Sequence, residues 1–200
     1  GRLDGGGAYL DRRYLDGMAL QVDDELLRLG DADLMVAAAV TSLSWHGSSL
    51  RIEGFAYLTN LSFESDFWTE ARLVSGDQEP VSLTVRRRDC PRLDLEARDS
   101  WNEHAKSGFT IEVDPVALRL DPQSVWRLEV TVGSPRLSES RSAVVRDFDP
   151  RSMPATVMAS ALQDWRRWIA GVDPDTGFTL ECVGFSGSVV SAIGYRGGEM

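Results

Sequence analysis

The sequence predicts an all-β fold built as an antiparallel β-sandwich. Three observations carry this. Apolar and polar residues alternate through most of positions 35–148, turn-forming residues interrupt the alternation at short intervals, and helical periods are almost absent there. One-sided alternation gives each sheet a dry face and a wet face, and two such sheets bury their dry faces together. A parallel α/β fold needs crossover helices, and the spacing leaves no room for them.

Positions 1–34 are rich in Gly and Asp and read as a linker behind an absent catalytic domain. Leu20, Val22, Leu26, Leu27 and Leu29 suit either a short helix or an extended segment docked on the sandwich. Val40, Ser42 and Ser44 then alternate with Thr41, Leu43 and Trp45. His46-Gly47-Ser48-Ser49 turns the chain, and Leu50, Ile52, Gly54 and Ala56 alternate with Arg51, Glu53, Phe55 and Tyr57, which completes a hairpin. A second hairpin runs through 67–74, a turn at 75–80, and 81–87, where Val81, Leu83 and Val85 share one face. Residues 88–107 are polar and irregular. Phe109, Ile111 and Val113 form a strand that Asp114-Pro115 ends, because proline supplies no ladder donor. Trp126, Leu128, Val130 and Val132 form another, Gly133-Ser134-Pro135 turns it, and 143–148 suits one more.

About seven strands in roughly 115 residues is the pattern of an immunoglobulin-like sandwich, assigned to the domain 35–148. The remainder, 149–200, opens with a Pro-rich linker. In it Val157, Ala161, Trp165 and Ile169 fall at helical spacing and predict a short amphipathic helix. Phe178, Leu180 and Cys182, and then Val189 to Ile193, return to strands and read as the start of a second β unit.

With 21 Lys and Arg against 31 Asp and Glu, the net charge is -10. That excludes nucleic acid as a partner, since a phosphate backbone requires a basic footprint. The longest apolar run, Leu34 to Val40, falls far short of the roughly 20 residues of a membrane span, so direct membrane insertion is not expected. The opening Gly1-Arg2-Leu3-Asp4 has no apolar signal core. The chain is expected to be a segment of a larger cytoplasmic protein. Cys90 and Cys182 are too few for a disulfide framework and are not spaced for a metal, so two reduced thiols are expected.

The motifs that carry chemistry are incomplete. Asp31-Ala32-Asp33 has the form that holds a divalent metal against a nucleotide diphosphate, but only 30 residues precede it where a nucleotide-binding domain is needed. A linker turn is the simpler reading. Gly184-Phe185-Ser186-Gly187-Ser188 departs from the nucleophile elbow at Ser188, and no His follows to serve Ser186. Asp173-Pro174-Asp175-Thr176-Gly177 suits a turn better than a calcium loop. His46 and His104 sit in predicted loops, where exposure is the ordinary outcome. No phosphate loop or dinucleotide fingerprint occurs, so no catalytic residue, cofactor or metal is assigned.

Six tryptophans stand out. Trp126 and Trp45 fall on apolar faces and read as core. Trp68, at a strand start, and Trp101, in a polar loop, are candidates for the flat platforms on which a pyranose stacks. Core packing is the ordinary alternative for Trp68, and a plain capping loop for Trp101. The segment from Arg88 to Lys106 is long for a loop, and long loops are often functional. In it Trp101 would stack on a sugar while Asn102, Glu103 and His104 would bond hydroxyls. Arg86, Arg87 and Arg88 would meet phosphates, although at strand spacing they alternate faces.

The run from Val40 to Tyr57 has the pattern v-t-x-l-x-W-x-g-x-x-L-x-i-x-G-x-a-y. With Ser107-Gly108-Phe109, Ile111, Asp114-Pro115 and Trp126-Arg127-Leu128, it resembles the accessory β-sandwich domains of actinobacterial wall teichoic acid enzymes. Those enzymes carry a family 2 glycosyltransferase domain and in some cases a CDP-glycerol glycerophosphotransferase domain. Tyr9 to Asp16 is similar to the stretch where the transferase gives way to the sandwich. The resemblance implies a non-catalytic scaffold module of a teichoic-acid-like polymer transferase at the cytoplasmic face of the membrane. Its partners would be the catalytic domain of the same chain and the polymer acceptor. The candidate acceptor contacts are Trp101, Asn102, His104, Arg86 and Arg88. The other reading is an interaction or oligomerisation domain that works through exposed strand edges.

Overall fold

The computed structural model describes residues 1–4, 7–10, 22–64, 66–76, 78–90, 102–137, 139–145, 147–148, 157–158, 166–173 and 177–184. Among them are fourteen strands and no α-helix. Two short strands lead: β1 (Arg2–Asp4) and β2 (Gly7–Tyr9), paired with each other. The predicted first hairpin is β3 (Val36–His46) and β4 (Ser49–Leu58), antiparallel from Val36↔Leu58 to His46↔Ser49, with a bulge between Val40 and Ser42. Then come β5 (Trp68–Val74), β6 (Val81–Leu83), β7 (Val85–Arg88), β8 (Gly108–Val113), β9 (Trp126–Gly133), β10 (Arg141–Val144) and β11 (Asp147–Phe148). The tail gives β12 (Val157–Met158), β13 (Arg166–Asp173) and β14 (Gly177–Gly184).

Strands β3 to β14 make two facing sheets, as the alternation predicts, and β1 with β2 stays a separate ribbon. The smaller has the order β11-β3-β4-β8-β7; the larger runs β12-β13-β14-β9-β5-β6, with β10 also on β9. All pairings are antiparallel except the short β11 on β3. One core lies between the sheets. From the smaller sheet it takes Val40, Leu43, Leu50, Ile52, Phe109 and Ile111; from the larger, Leu73, Leu128, Val130 and Phe178. Trp126 belongs to it, with its indole N–H donating to the Asp121 carbonyl at 3.2 Å, which meets the polar requirement of a buried indole.

The arm 81–87 does not stay in one sheet. Val81–Leu83 pairs with β5 as the hairpin reading expects, but Val85–Arg88 pairs with β8 across the sandwich. The chain changes sheets at Thr84 and closes that corner.

The tail also differs from expectation. The predicted helix falls partly outside the described residues, with Ala161 and Trp165 among those not described. Where it is described, Val157 and Met158 pair with Ala170 and Ile169 as strands. In β13 the buried residues are Trp168 and Ala170, a period of two. An antiparallel partner, β14, satisfies the backbone from Arg166↔Gly184 to Asp173↔Gly177. Nor does the tail found a sheet of its own. β14 joins β9 at Thr179↔Arg127 and Leu180↔Trp126, on the stretch of edge that β10 leaves open. Trp168, Ala170, Phe178 and Leu180 enter the same core as the sandwich strands. Residues 185–200 lie outside the description.

The leading segment docks rather than folding separately. Leu29 N–H donates to the Ala8 carbonyl, and the Thr59 and Asn60 side chains donate to the Asp33 carbonyl at 2.7 and 2.8 Å. Ala8 and Leu34 are buried against the sandwich.

A charged strap ties the loop before β5 to the loop after β9. Arg136 donates to both Asp66 oxygens at 2.6 and 3.0 Å and to Glu64 at 2.5 Å, while the Ser134 hydroxyl donates to Asp66 at 3.0 Å. The Arg136 hydrogen bonds hold the Asp66 carboxyl below its usual range, against the opposing pull of partial burial. With a folded pKa below the unfolded one, the strap's contribution is full above the unfolded value and is lost as pH falls through the folded one. Both partners are substantially exposed, so solvent screens the pair. Arg136→Met is expected to cost about 1 kcal/mol at neutral pH, and the gap to wild type should narrow as pH falls below the ordinary Asp range. Urea titrations at neutral and acid pH measure it.

Candidate functional site

The predicted contact residues divide between the surface and the interior. β7 is the edge strand of the smaller sheet, and its register with β8 sets Arg86 beside Thr110 and Arg88 beside Gly108. Both arginines therefore share the outer face with Arg51, Glu53 and Glu112, since β4 pairs Glu53 with Thr110 and Arg51 with Glu112. Arg86 is 74% exposed and sits 3.8 Å from Glu112. Arg88 pairs with Glu53, whose other oxygen takes Arg51 at 2.7 and 2.9 Å. Three arginines thus face two glutamates, which leaves one positive charge in excess on a chain of net -10. Arg87 alternates to the other side, its guanidinium 5.7 Å from the centre of the Phe63 ring.

Asn102 and His104 are not surface contacts, which corrects the loop reading. Asn102 is buried, and its side-chain oxygen accepts from the Gly1 nitrogen at 2.6 Å and the Ser62 hydroxyl at 3.3 Å. His104 is fully buried, stacked on Tyr57 with ring centres 3.9 Å apart; Tyr57 in turn stacks beside Phe55 at 5.9 Å. The reason lies in the backbone of 102–107, which is tied down rather than looping free. Phe63 N–H donates to the Glu103 carbonyl, Cys90 N–H to Ala105, and Ala56 N–H to Ser107. A signal was present in the sequence: Phe55 and Tyr57 occupy outward positions of β4, and two aromatics on a wet face ask for a cover. Glu103 stays exposed, and Trp101 lies outside the described residues.

The two carboxylates of Asp31-Ala32-Asp33 do not converge. Asp31 accepts from Arg141 at 2.6 Å, and Asp33 accepts from the Gly30 backbone at 2.9 Å. Among the described residues, no three His, Cys, Asp or Glu side chains group to hold a metal. Burial pushes the Cys182 thiol up. No helix among the described residues is long and apolar enough to cross a membrane.

No family model and no curated protein matches the chain. Solved structures do. The Staphylococcus aureus TarS fragment 217–571 superposes with a TM-score of 0.52 at 8% identity, over 75% of this chain and 39% of that one. A second S. aureus TarS structure gives 0.52 and 8%, over 76% of this chain and 25% of that one. The likeness is one of fold. The chain spans well under half the length of these structures.

Proposed function

We propose that the chain is a non-catalytic module of a wall-polymer transferase, sitting beside the catalytic domain and meeting the anionic acceptor polymer. The observation that carries this is the fold likeness over three-quarters of the chain to TarS, a teichoic acid glycosyltransferase. The scaffold pattern of residues 40–57 points the same way. The acceptor would run along β7, where Arg86 and Arg88 offer guanidinium forks to phosphodiester oxygens. Arg88 is suited to this because Glu53 is already shared with Arg51. Three consecutive arginines on an edge strand also oppose pairing with a second copy of the same edge, which favours an anionic ligand there over self-association.

Two measurements test the reading. Titration with a glycerol-phosphate polymer should show binding that weakens with salt, and Arg86→Ser with Arg88→Ser should lower affinity about tenfold. Transfer of sugar by this chain alone, given nucleotide sugars and polymer, would overturn it.

A further inference from the structure

The larger sheet has its own outer face, on the opposite side of the sandwich from the arginines. Its strands bring three rungs into line. Trp68 pairs with Gly133; Glu70 pairs with Thr131, which pairs with Ser142; Arg72 pairs with Ser82 on one side and Glu129 on the other. Successive rungs are two residues apart along the strand, about 7 Å.

The first rung is unusual. A Cβ on Gly133 would lie 2.4 Å from Trp68 Cζ2, 2.7 Å from Cε2 and 2.9 Å from Cη2. The middle atom of three is nearest and its two neighbours are nearly equidistant. That is the signature of a point above the ring; an edge-on approach would leave the neighbours much farther away. The indole therefore lies flat on the glycine backbone, filling the space a side chain would take, and turns its second face outward. Trp68 is half-buried, as a ring with one covered face should be.

Beside it the face is polar. The Thr131 and Ser142 hydroxyls bond each other at 2.7 Å, Glu70 is exposed, and Arg72 is held by Glu129 at 2.5 and 2.7 Å. From the second rung onward lies a groove of about 400 Å³, lined by Glu70, Ala71, Arg72, Ser82, Leu83 and Thr131. In these three rungs two carboxylates stand against one guanidinium, with Arg127 a rung beyond Glu129 and farthest from Trp68, so the Trp68 end beside Glu70 is unfavourable for phosphate, unlike the β7 edge. A flat apolar ring with acceptors and hydroxyls one rung away matches a neutral pyranose, whose C–H face is apolar and whose rim is hydroxylated.

We propose that Trp68 on Gly133, with Glu70, Thr131 and Ser142, forms a stacking site for a neutral pyranose residue of a glycan. The choice of carbohydrate rests on the accessory-module reading; the location rests on the geometry. Phosphate units and sugar units of one polymer would then meet different sheets.

Maltohexaose and cellohexaose serve as neutral probes and a glycerol-phosphate polymer as the anionic one, with calorimetry and saturation-transfer NMR as readouts. Wild type is expected to bind a hexaose and saturate its ring C–H protons. Trp68→Ala should weaken this at least about tenfold, while Trp68→Tyr keeps it within about threefold. Glu70→Gln, which leaves the indole in position, should weaken hexaose binding and keeps the test usable if the alanine variant unfolds. No hexaose binding by wild type, or equal binding by Trp68→Ala, overturns the site. If polymer binding persists in that case, the accessory-module reading stands and only the Trp68 site falls. If hexaose binding persists while the polymer fails to bind, the β7 contact falls instead.

Discussion

Phe109→Ala is expected to cost about 3–5 kcal/mol, the range for emptying an aromatic site in a close-packed core. The ring is 1% exposed, near the start of β8, and that strand joins β4 on one side to β7 on the other. Most of the core it belongs to is made of strand residues held by ladders, which limits collapse into the space. A domain with a total stability of about 5–15 kcal/mol would lose a large share of it. Urea unfolding, followed by tryptophan fluorescence, should show the midpoint fall with the slope unchanged. The loss should also reach β7, which among the described strands is hydrogen-bonded to β8 alone, and with it the posture of Arg86 and Arg88. A cost below about 1.5 kcal/mol would mean that the sandwich interior repacks easily, contrary to the single continuous core.

The strands 49–58, 108–113 and 126–133 were legible because their core apolar residues recur at a period of two; the arm 36–46 was legible through the turn that joins it to 49–58, since its own period breaks at the bulge between Val40 and Ser42. The sheet change at Thr84 was not legible. Alternation continues unbroken across Thr84, from Val81 to Arg86, and the pattern says nothing about which partner takes which half. The tail misled for a related reason. Trp168 and Ile169 adjoin, and an adjacent apolar pair fits a helical stripe as readily as a strand with one side on the core. The deciding factor was a free stretch of the β9 edge, which only the assembled sheet reveals.

The candidate site was legible in part. Arg86 and Arg88 on an outward face follow from strand spacing. The burial of Asn102 and His104 does not, because it depends on backbone bonds from Phe63, Cys90 and Ala56, partners far off in sequence. The Trp68 platform lay behind the same barrier. Both residues were visible separately, Trp68 as a possible stacking ring and Gly133 as a turn, but their pairing depends on the β5–β9 register.

Gly54→Ala is expected to cost about 3 kcal/mol, at the upper end for a small overpacking change. The new methyl would lie 2.4 Å from the Ala39 carbonyl oxygen and 2.6 Å from Phe109 Cζ. These two obstacles differ in kind. The ring can tilt at modest cost. The carbonyl belongs to β3, beside the bulge between Val40 and Ser42, and it can retreat only if the β3–β4 ladder opens. Adding Phe109→Leu to Gly54→Ala should therefore recover less than half of the loss, with the coupling read from a double-mutant cycle of urea midpoints. Glu53 precedes the glycine, so a displaced β4 should also loosen the Arg51–Glu53–Arg88 cluster and weaken binding of a glycerol-phosphate polymer. Full recovery by the leucine would show that the ring alone makes the contact tight. A Gly54→Ala cost under about 1 kcal/mol would show that the backbone of β3 yields freely at the bulge.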